Sequence, residues 1–287
     1  MKSPLWPLFL AVLPAVCNAA ELTRVSDFGD NPAGLVMYTY VPDNLAPSPG
    51  VVFTLHGASG NGQQAFASTP YADLAEQYGF VVVYPESPQG AWDATSRQSI
   101  VRDGGGASQS IAAMARYAID AHDADDSKVF VSGISSGGTM AVRRIFLEMA
   151  PLPSAEIRTN FGRDPLQSTM AGTYPDVFKG VVIYSAASRG DIGAMYPGYT
   201  GSYPQVQLYL GSEDRVIKPD SFNDTLAAWA QVLGYDATVD QVLDDAPAAD
   251  WTTYVLGDKL QGIWAEGEGH PVFVQGAEDM KWWGFSR

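Results

Sequence analysis

Short apolar runs that do not alternate with polar residues are the feature that most constrains this chain. Val51–Leu55 (VVFTL) and residues 80–84 (FVVVY) are of strand length and almost entirely apolar. Such a run indicates a strand buried on both faces, as in a parallel sheet covered by helices. Tyr71–Tyr78 and residues 108–121 show the apolar spacing of amphipathic helices. Strands and helices that alternate in this way predict an α/β fold.

The same pattern continues towards the C-terminus. A further helix is predicted at residues 139–149. Further strands are predicted at residues 34–40, 129–132, 181–184, 206–210 and 262–265. Residues 151–170 and 238–251 break the rhythm, and we interpret both as surface excursions. We expect residues 21–287 to form one α/β domain, with a mostly parallel central sheet and helices on both faces.

The N-terminus has the pattern of a secretory signal peptide. Lys2 precedes the apolar residues 5–16, and a stretch of small residues ends at Ala20. We therefore expect residues 1–20 to be removed, and Cys17 with them. The alternative interpretation is an apolar arm of the folded protein. The signal peptide predicts a secreted, extracellular protein.

The composition limits the partners of the chain. It has 17 Lys and Arg residues against 32 Asp and Glu residues, which gives a net charge of −15. A chain this acidic repels nucleic acids and anionic membranes, so neither is an expected partner. Asn223, in the sequence Asn-Asp-Thr, is a candidate N-glycosylation site in a host that glycosylates secreted chains. We expect a monomer or a small homo-oligomer.

Residues 133–137 (GISSG) carry the sharpest chemical signal. They follow the apolar run at 129–132 and precede the predicted helix, which is the context of a nucleophile elbow. In such an elbow the chain turns tightly from strand to helix, so neighbouring residues must be small. The central Ser135 is then the nucleophile. An ordinary Gly-Ser turn is the alternative, and the flanking strand and helix favour the elbow.

A serine hydroxyl needs a base to take its proton, and the chain has 3 histidines. His56 lies in a His-Gly turn after an early strand, where a structural role beside an oxyanion loop is favoured. His122 lies among acidic residues at a predicted helix end, as is typical of a solvated side chain. His270 lies in a Gly-rich loop after the last predicted strand. That position fits the order Ser, acid, His of α/β-hydrolases, so His270 is the predicted base.

The acid is expected in the loop after the penultimate core strand. Asp214 is the predicted residue and Glu213 is its competitor, since a carboxylate there would orient the imidazole and stabilise its charged form. The negative oxygen that develops during acyl transfer also needs two backbone N–H donors. We expect them from Ser136, directly after the nucleophile, and from Ala58, in the loop after His56.

Several stretches carry a family resemblance. They are residues 55–64 (LHGASGNGQQ), 71–87 (YADLAEQYGFVVVYPES), 103–119 (DGGGASQSIAAMARYAI), 127–138 (SKVFVSGISSGG), 173–186 (TYPDVFKGVVIYSA), 194–217 (AMYPGYTGSYPQVQLYLGSEDRVI) and 260–285 (LQGIWAEGEGHPVFVQGAEDMKWWGF). In these stretches the chain resembles the fungal-type acetyl xylan esterases of carbohydrate esterase family 1, which are relatives of feruloyl esterases and polyhydroxybutyrate depolymerases. The resemblance covers nearly the whole chain after residue 20.

This resemblance implies an α/β-hydrolase fold and a serine esterase that needs no metal or cofactor. It implies that Ser135, Asp214 and His270 are the catalytic residues. It also places Trp92 near the active-site loops, as a candidate substrate-binding residue, with a packed surface aromatic as the alternative. Acetylated xylan is the expected substrate. A hydroxycinnamoyl ester, as cleaved by feruloyl esterases, is the runner-up.

The departures from the family pattern concern the walls of the substrate cleft. Relatives usually carry a Cys where this chain has Ala91, and a longer segment where it has residues 186–193; residues 151–170 look like an insertion. These departures leave the triad untouched and bear on substrate choice. Two functions outside the class are a serine peptidase with the same triad and an inactive carbohydrate-binding relative. The presence of all three triad residues disfavours the second.

Overall fold

One ten-stranded sheet forms the centre of the protein in this computed structural model, which describes residues 21–141, 169–187 and 192–286. The strands are β1 (Thr23–Val25), β2 (Val36–Tyr40), β3 (Val51–Leu55), β4 (Val81–Glu86), β5 (Val129–Ile134), β6 (Gly180–Tyr184), β7 (Gln205–Gly211), β8 (Gln241–Asp244), β9 (Trp251–Leu256) and β10 (Leu260–Ala265).

Helices connect most of the strands along the described part of the chain. They are α1 (Gly62–Ser68), α2 (Tyr71–Tyr78), α3 (Arg97–Ile100), α4 (Ala107–His122), α5 (Ser136–Ala141), α6 (Thr169–Thr173), α7 (Ser221–Leu233) and α8 (Gly276–Trp282), with a 3-10 helix at Ile192–Met195.

The middle of the sheet is parallel. Strands β4, β3, β5, β6, β7 and β10 neighbour one another in that order and all run in the same direction. Two antiparallel strands extend each side, β2 and β1 beyond β4, and β9 and β8 beyond β10. The predicted α/β fold with a mostly parallel sheet is confirmed. The loops that follow β3, β5, β7 and β10 leave the sheet at one edge, where open α/β sheets bind their ligands.

Side chains of the central strands alternate between two apolar layers. Val51 of β3 packs in the same layer as Ile111 of α4 and apolar residues of α7. Val52, the next residue, packs in the opposite layer with Tyr71 of α2 and apolar residues of α8. Helices therefore cover both faces of the sheet. This is why the strands are apolar at successive positions and not only at every second one.

The predicted central elements are confirmed, with shifts of one or two residues at some ends. The predicted strand at 51–55 and the predicted helix at 71–78 coincide with β3 and α2. The interpretation of residues 238–251 as an excursion is wrong in part, because strand β8 lies within this stretch and β9 begins at its end. All residues of β8 are exposed and β9 alternates in burial, so neither strand produces an apolar run.

Several predictions concern residues outside the described part. These are the signal peptide at 1–20, the insertion at 151–170 up to residue 168, residues 188–191 of the shortened segment, and the helix at 139–149 beyond Ala141. Among the described residues, no helix is long and apolar enough to cross a membrane. The candidate glycosylation residue Asn223 is exposed on α7.

A carboxyl group lies buried in the layer between α2, α8 and the sheet. Asp279 of α8 is fully buried, and accepts hydrogen bonds from the hydroxyls of Tyr71 (2.6 Å) and Tyr184 (2.7 Å). Burial raises the pKa of Asp279 from 3.8 to about 7, although the two tyrosine hydrogen bonds favour the ionised form and oppose the shift. The folded protein therefore holds a proton on Asp279 over a pH range in which the unfolded chain has lost it.

We expect this group to make stability depend on pH in a defined direction. Between about pH 4 and pH 7 the unfolded chain releases the Asp279 proton and the folded protein keeps it, so folding weakens as pH rises through this range. The free energy of unfolding of Asp279→Asn minus that of the wild type should thus increase as pH rises. Urea denaturation at several pH values measures the difference. The exposed Asp126→Asn is the control, and a constant difference for Asp279→Asn would contradict the expectation.

Candidate active site

Ser135 lies at the sharp turn between β5 and α5. Its φ is 52°, a left-handed conformation that non-glycine residues rarely adopt. The turn is held on both sides of the residue. The N–H of Ser135 donates to the carbonyl of Tyr184 (2.9 Å), and its carbonyl accepts from the N–H (2.7 Å) and the hydroxyl (2.9 Å) of Thr139. The structure therefore has the strand–turn–helix geometry expected of a nucleophile elbow.

The two glycines of this turn leave no room for a side chain. A β-carbon added to Gly133 would lie 2.2 Å from the carbonyl oxygen of Gly137. A β-carbon added to Gly137 would lie 2.1 Å from the carbonyl oxygen of Leu55, at the end of β3. The turn can be this tight because both positions lack a β-carbon. This is the steric reason for the Gly-x-Ser-x-Gly pattern.

His270 links Ser135 to Asp214. Its Nε2 lies 2.9 Å from Ser135 Oγ, and its Nδ1 lies 2.8 Å from Asp214 Oδ2. The three residues come from the loops after β5, β7 and β10, which meet at one edge of the sheet. An imidazole placed between a hydroxyl and a carboxylate can remove the hydroxyl proton while the carboxylate stabilises the resulting positive charge.

The carboxylate of Asp214 is held in its ionised form. Its side chain is buried, and burial by itself would raise its pKa. The hydrogen bond from His270 and the bonds from the N–H groups of Val216 and Ile217 to Oδ1 (2.8 Å each) outweigh burial, so the pKa of Asp214 lies below its ordinary value. Asp214 therefore offers a negative charge and a fixed orientation to the imidazole.

Glu213, the competing acid, occupies a different position. Its side chain is exposed, and its backbone N–H donates to the carbonyl of Glu268 (2.9 Å). A second contact between the same loops is the hydrogen bond from the N–H of Gly267 to Ser212 Oγ (2.8 Å). The backbone of Glu213 and the side chain of Ser212 thus hold the start of the loop that carries His270, while Asp214 contacts the imidazole itself.

The loop after β3 offers few free backbone donors for an oxyanion. The N–H of Ser59 donates to the carbonyl of Gly90 (2.6 Å), and that of Gly60 donates to the carbonyl of Gly57 (3.1 Å). The N–H groups of Gly57 and Ala58 are the remaining candidates in this loop. Ser136 is the first residue of α5, where backbone N–H groups lack partners within the helix. Ala58 and Ser136 stay predicted donors.

His56 and Trp92 brace the loop after β3. His56 is buried, with Nδ1 bonded to the carbonyl of Gly57 (2.8 Å) and Nε2 accepting the N–H of Ser87 (3.1 Å). Burial lowers the pKa of His56, which agrees with an Nε2 that accepts a hydrogen bond. The indole N–H of Trp92 donates to the carbonyl of His56 (2.8 Å), and the two rings lie 4.7 Å apart.

This packing changes the interpretation of Trp92. Its side chain is only 5% exposed, and its N–H already has a protein partner. Trp92 borders a cavity of about 580 Å³, but it offers little surface to a substrate. The structure favours the packed aromatic over the predicted substrate-binding role. His122 lies at the end of α4, and burial lowers its pKa.

Two residues at the end of β6 were not found from the sequence. The carbonyl of Tyr184 accepts the N–H of Ser135, and Ser185 Oγ accepts the N–H of Val272, two residues after His270. Both lie in residues 173–186, one of the stretches that resemble the family, but the resemblance assigns neither of them a role. The strand pattern indicates their burial but not their partners. Within the described ranges, no group of three or more His, Cys, Asp or Glu side chains is placed to hold a metal ion.

Comparison with known proteins places this geometry in a family. The family model for esterase PHB depolymerase matches residues 35–150. Acetylxylan esterase A from Aspergillus ficuum is 37% identical, with 94% of this chain and 91% of the relative aligned. Acetylxylan esterase A from Emericella nidulans is 36% identical, with coverage of 93% and 90%.

Solved structures agree with these relatives. The acetyl xylan esterase from Aspergillus awamori matches with a TM-score of 0.81 and 37% identity, over 93% of this chain and 100% of that one. TT1662 from Thermus thermophilus matches with a TM-score of 0.53 at 16% identity, which supports the fold alone.

Gly137 offers a test of the steric argument at the turn. Gly137→Ala should destabilise the protein by about 3 kcal/mol or more, because the added carbon on α5 overlaps the backbone carbonyls of Leu55 and His56 at the end of β3. Urea denaturation measures the loss. Gly269→Ala is the matched control, since a β-carbon there meets nothing within 4 Å. Equal stabilities of the two variants would contradict the steric argument.

Proposed function

Since the chain belongs to the acetylxylan esterase family and is a carboxylesterase, we propose that it removes acetyl groups from acetylated xylan with Ser135 as its nucleophile. The observation that carries this proposal is the His270 ring, which joins Ser135 Oγ at 2.9 Å to Asp214 Oδ2 at 2.8 Å. The acetylxylan esterases named above align with this chain over nearly its whole length, and this supports the same substrate here.

Acylation begins with proton transfer from Ser135 to His270. Nε2 takes the hydroxyl proton as Oγ attacks the acetyl carbonyl, and the ionised Asp214 stabilises the imidazolium. The carbonyl oxygen becomes negative, and the backbone N–H groups of Ser136 and Ala58 stabilise it. His270 then returns the proton to the sugar oxygen, the ester bond breaks, and the sugar leaves as an alcohol.

Deacylation repeats these steps with water. His270 takes a proton from a water molecule, which attacks the acetyl carbon of the acyl-enzyme. The second tetrahedral intermediate collapses, acetate leaves, and His270 returns the proton to Ser135 Oγ. The same residues serve both half-reactions, since His270 changes from base to acid and back in each.

Phe273 is a candidate contact for the sugar part of the substrate. It lies on the loop that carries His270, and 77% of its surface is exposed, the largest fraction among the exposed large hydrophobic residues of the described chain. Its neighbour Val272 is fully buried, so the loop is anchored while the phenyl ring is directed outward. An exposed aromatic ring beside a reaction centre suits stacking against the apolar face of a sugar ring.

The proposed substrate is an extracellular polymer, and the N-terminal sequence supports export. Residues 1–20 carry the signal-peptide pattern, and cleavage after them would release a chain that begins at Glu21. Asn223 is exposed on α7, so in a glycosylating host it is accessible for modification. N-terminal sequencing of the protein from the culture medium tests both the export and the cleavage position.

Ser135→Ala should abolish acetate release from acetylated xylan. The expected loss in kcat/KM is at least about 10⁴-fold, because no other group replaces the nucleophile. Acetate is measured by an enzymatic assay. Thermal unfolding should show an intact fold, since Ala at this position removes one oxygen and keeps the β-carbon. Retention of activity in the variant would overturn the role of Ser135.

Failure of the wild type on xylan would leave other esters to test. Release of ferulate from a feruloyl ester, with 4-nitrophenyl acetate also cleaved, would keep the nucleophile and indicate the hydroxycinnamoyl substrate. Cleavage of aminoacyl-nitroanilides would indicate a peptidase. Failure of a serine-directed phosphonate to label Ser135 would indicate an inactive carbohydrate-binding relative.

Phe273→Ala should impair activity on the polymer but not on a small ester. KM for acetylated xylo-oligosaccharides should rise about 3- to 10-fold, because a stacking contact of roughly 1 kcal/mol is lost. The kinetics on 4-nitrophenyl acetate, which lacks a sugar, should not change. Val242→Ala is the matched control, since Val242 is 52% exposed on the edge strand β8. Equal effects on both substrates would contradict a sugar contact.

A further inference from the structure

Ser185, directly after β6, has an unusual backbone and an unusual position. Its φ is 51° and the residue is fully buried. A non-glycine residue in this left-handed conformation is strained, and it persists only where the surrounding structure fixes it. Such strain concentrates at functional sites. Its neighbour Tyr184 contacts the strained Ser135, so two left-handed serines lie at the ends of adjacent strands.

The side chain of Ser185 holds the loop that carries His270. Its Oγ accepts the N–H of Val272 at 2.8 Å, and its own N–H donates to the carbonyl of Tyr209 in β7 at 2.9 Å. Val272 is fully buried and lies two residues after His270. Because Ser185 is itself fixed to the sheet, this hydrogen bond ties the His270 loop to the sheet next to the nucleophile.

Tyr184 makes the second half of the same connection. Its carbonyl accepts the N–H of Ser135 at 2.9 Å, and its hydroxyl accepts the N–H of Gln275 at 2.8 Å. The hydroxyl in turn donates to the buried Asp279 of α8. The consecutive residues Tyr184 and Ser185 thus contact the nucleophile on one side and two points of the His270 loop on the other.

We propose that Ser185 is a positioning residue, whose Oγ holds Val272 so that His270 Nε2 stays within hydrogen-bond distance of Ser135 Oγ. This inference rests on the proposed function of the triad. Ser185 acts through His270 and does not take part in substrate binding. Without Oγ, the His270 loop keeps its contact with Tyr184 and with the acid loop, but its middle is free to shift relative to Ser135.

The expected effect is a loss of rate at constant affinity. A shift of about 1 Å between reacting groups lowers rates by up to about 100-fold. Ser185→Gly removes Oγ and suits the left-handed backbone, so the turn itself is not further strained. We expect kcat on 4-nitrophenyl acetate to fall about 10- to 100-fold, with KM changed by less than about twofold. Ser185→Ala, which keeps the β-carbon, should show the same loss.

A double-mutant cycle separates positioning of His270 from a general structural effect. If Ser185 acts through His270, then Ser185→Gly should lower the residual rate of a His270→Ala enzyme by less than about twofold. Ser110→Ala is the matched control, because Ser110 is buried and its Oγ accepts the N–H of Ala33 at 3.2 Å. Ser110→Ala loses a comparable hydrogen bond, made to Ala33 and not to the loop that carries His270, so its kcat should equal that of the wild type.

A loss confined to the background that contains His270 supports the proposal. An equal loss in both backgrounds, or full activity of Ser185→Gly and Ser185→Ala, overturns it. A His270→Ala enzyme that retains wild-type activity would instead overturn the proposed function of the triad. Thermal unfolding of each variant, compared with Ser110→Ala, confirms that rates are measured on folded protein.

Discussion

The close approach of the β5–α5 turn to the end of β3 is the constraint on which the rest of the site depends. The turn passes so near the carbonyl of Leu55 that Gly137 cannot carry a side chain, and the turn is itself so tight that Gly133 cannot carry one beside the carbonyl of Gly137. Within this tight turn Ser135 adopts a left-handed backbone, and its hydroxyl lies 2.9 Å from His270 Nε2. The position of Ser135 is thus a consequence of how closely the turn packs against the end of β3.

The remaining groups are arranged around that fixed point by parallel strands. The proposed acid, base and nucleophile lie on three loops that leave the sheet at one edge. The acid and base loops are joined by a backbone hydrogen bond from Glu213 to Glu268 and by the bond from the N–H of Gly267 to Ser212 Oγ, in addition to the contact of Asp214 with His270. Burial opposes the charge of Asp214, but three hydrogen-bond donors overcome that effect. The charge that stabilises the imidazolium is therefore present before substrate arrives, which is the basis of electrostatic preorganisation.

Most of the fold could be predicted because its signals are local. β3 and the helix Tyr71–Tyr78 were placed from apolar spacing alone. Strands β8 and β9 were missed because an edge of the sheet needs no continuous apolar run. The role of Trp92 stays a prediction for a related reason, since a sequence shows that an aromatic residue is near a site but not which way its ring faces.

The sequence by itself determined the Gly-x-Ser-x-Gly elbow, the α/β class and the chain order of Ser135, Asp214 and His270, because steric and periodic requirements act between near neighbours. Only the tertiary structure decided that Asp214, and not Glu213, contacts His270. It also buried Trp92 against His56, and it brought Ser185 to the N–H of Val272, 87 residues away. These contacts join residues distant in the chain through backbone atoms or single hydroxyls. The packing of strands and loops determines these contacts, so no local sequence pattern indicates them.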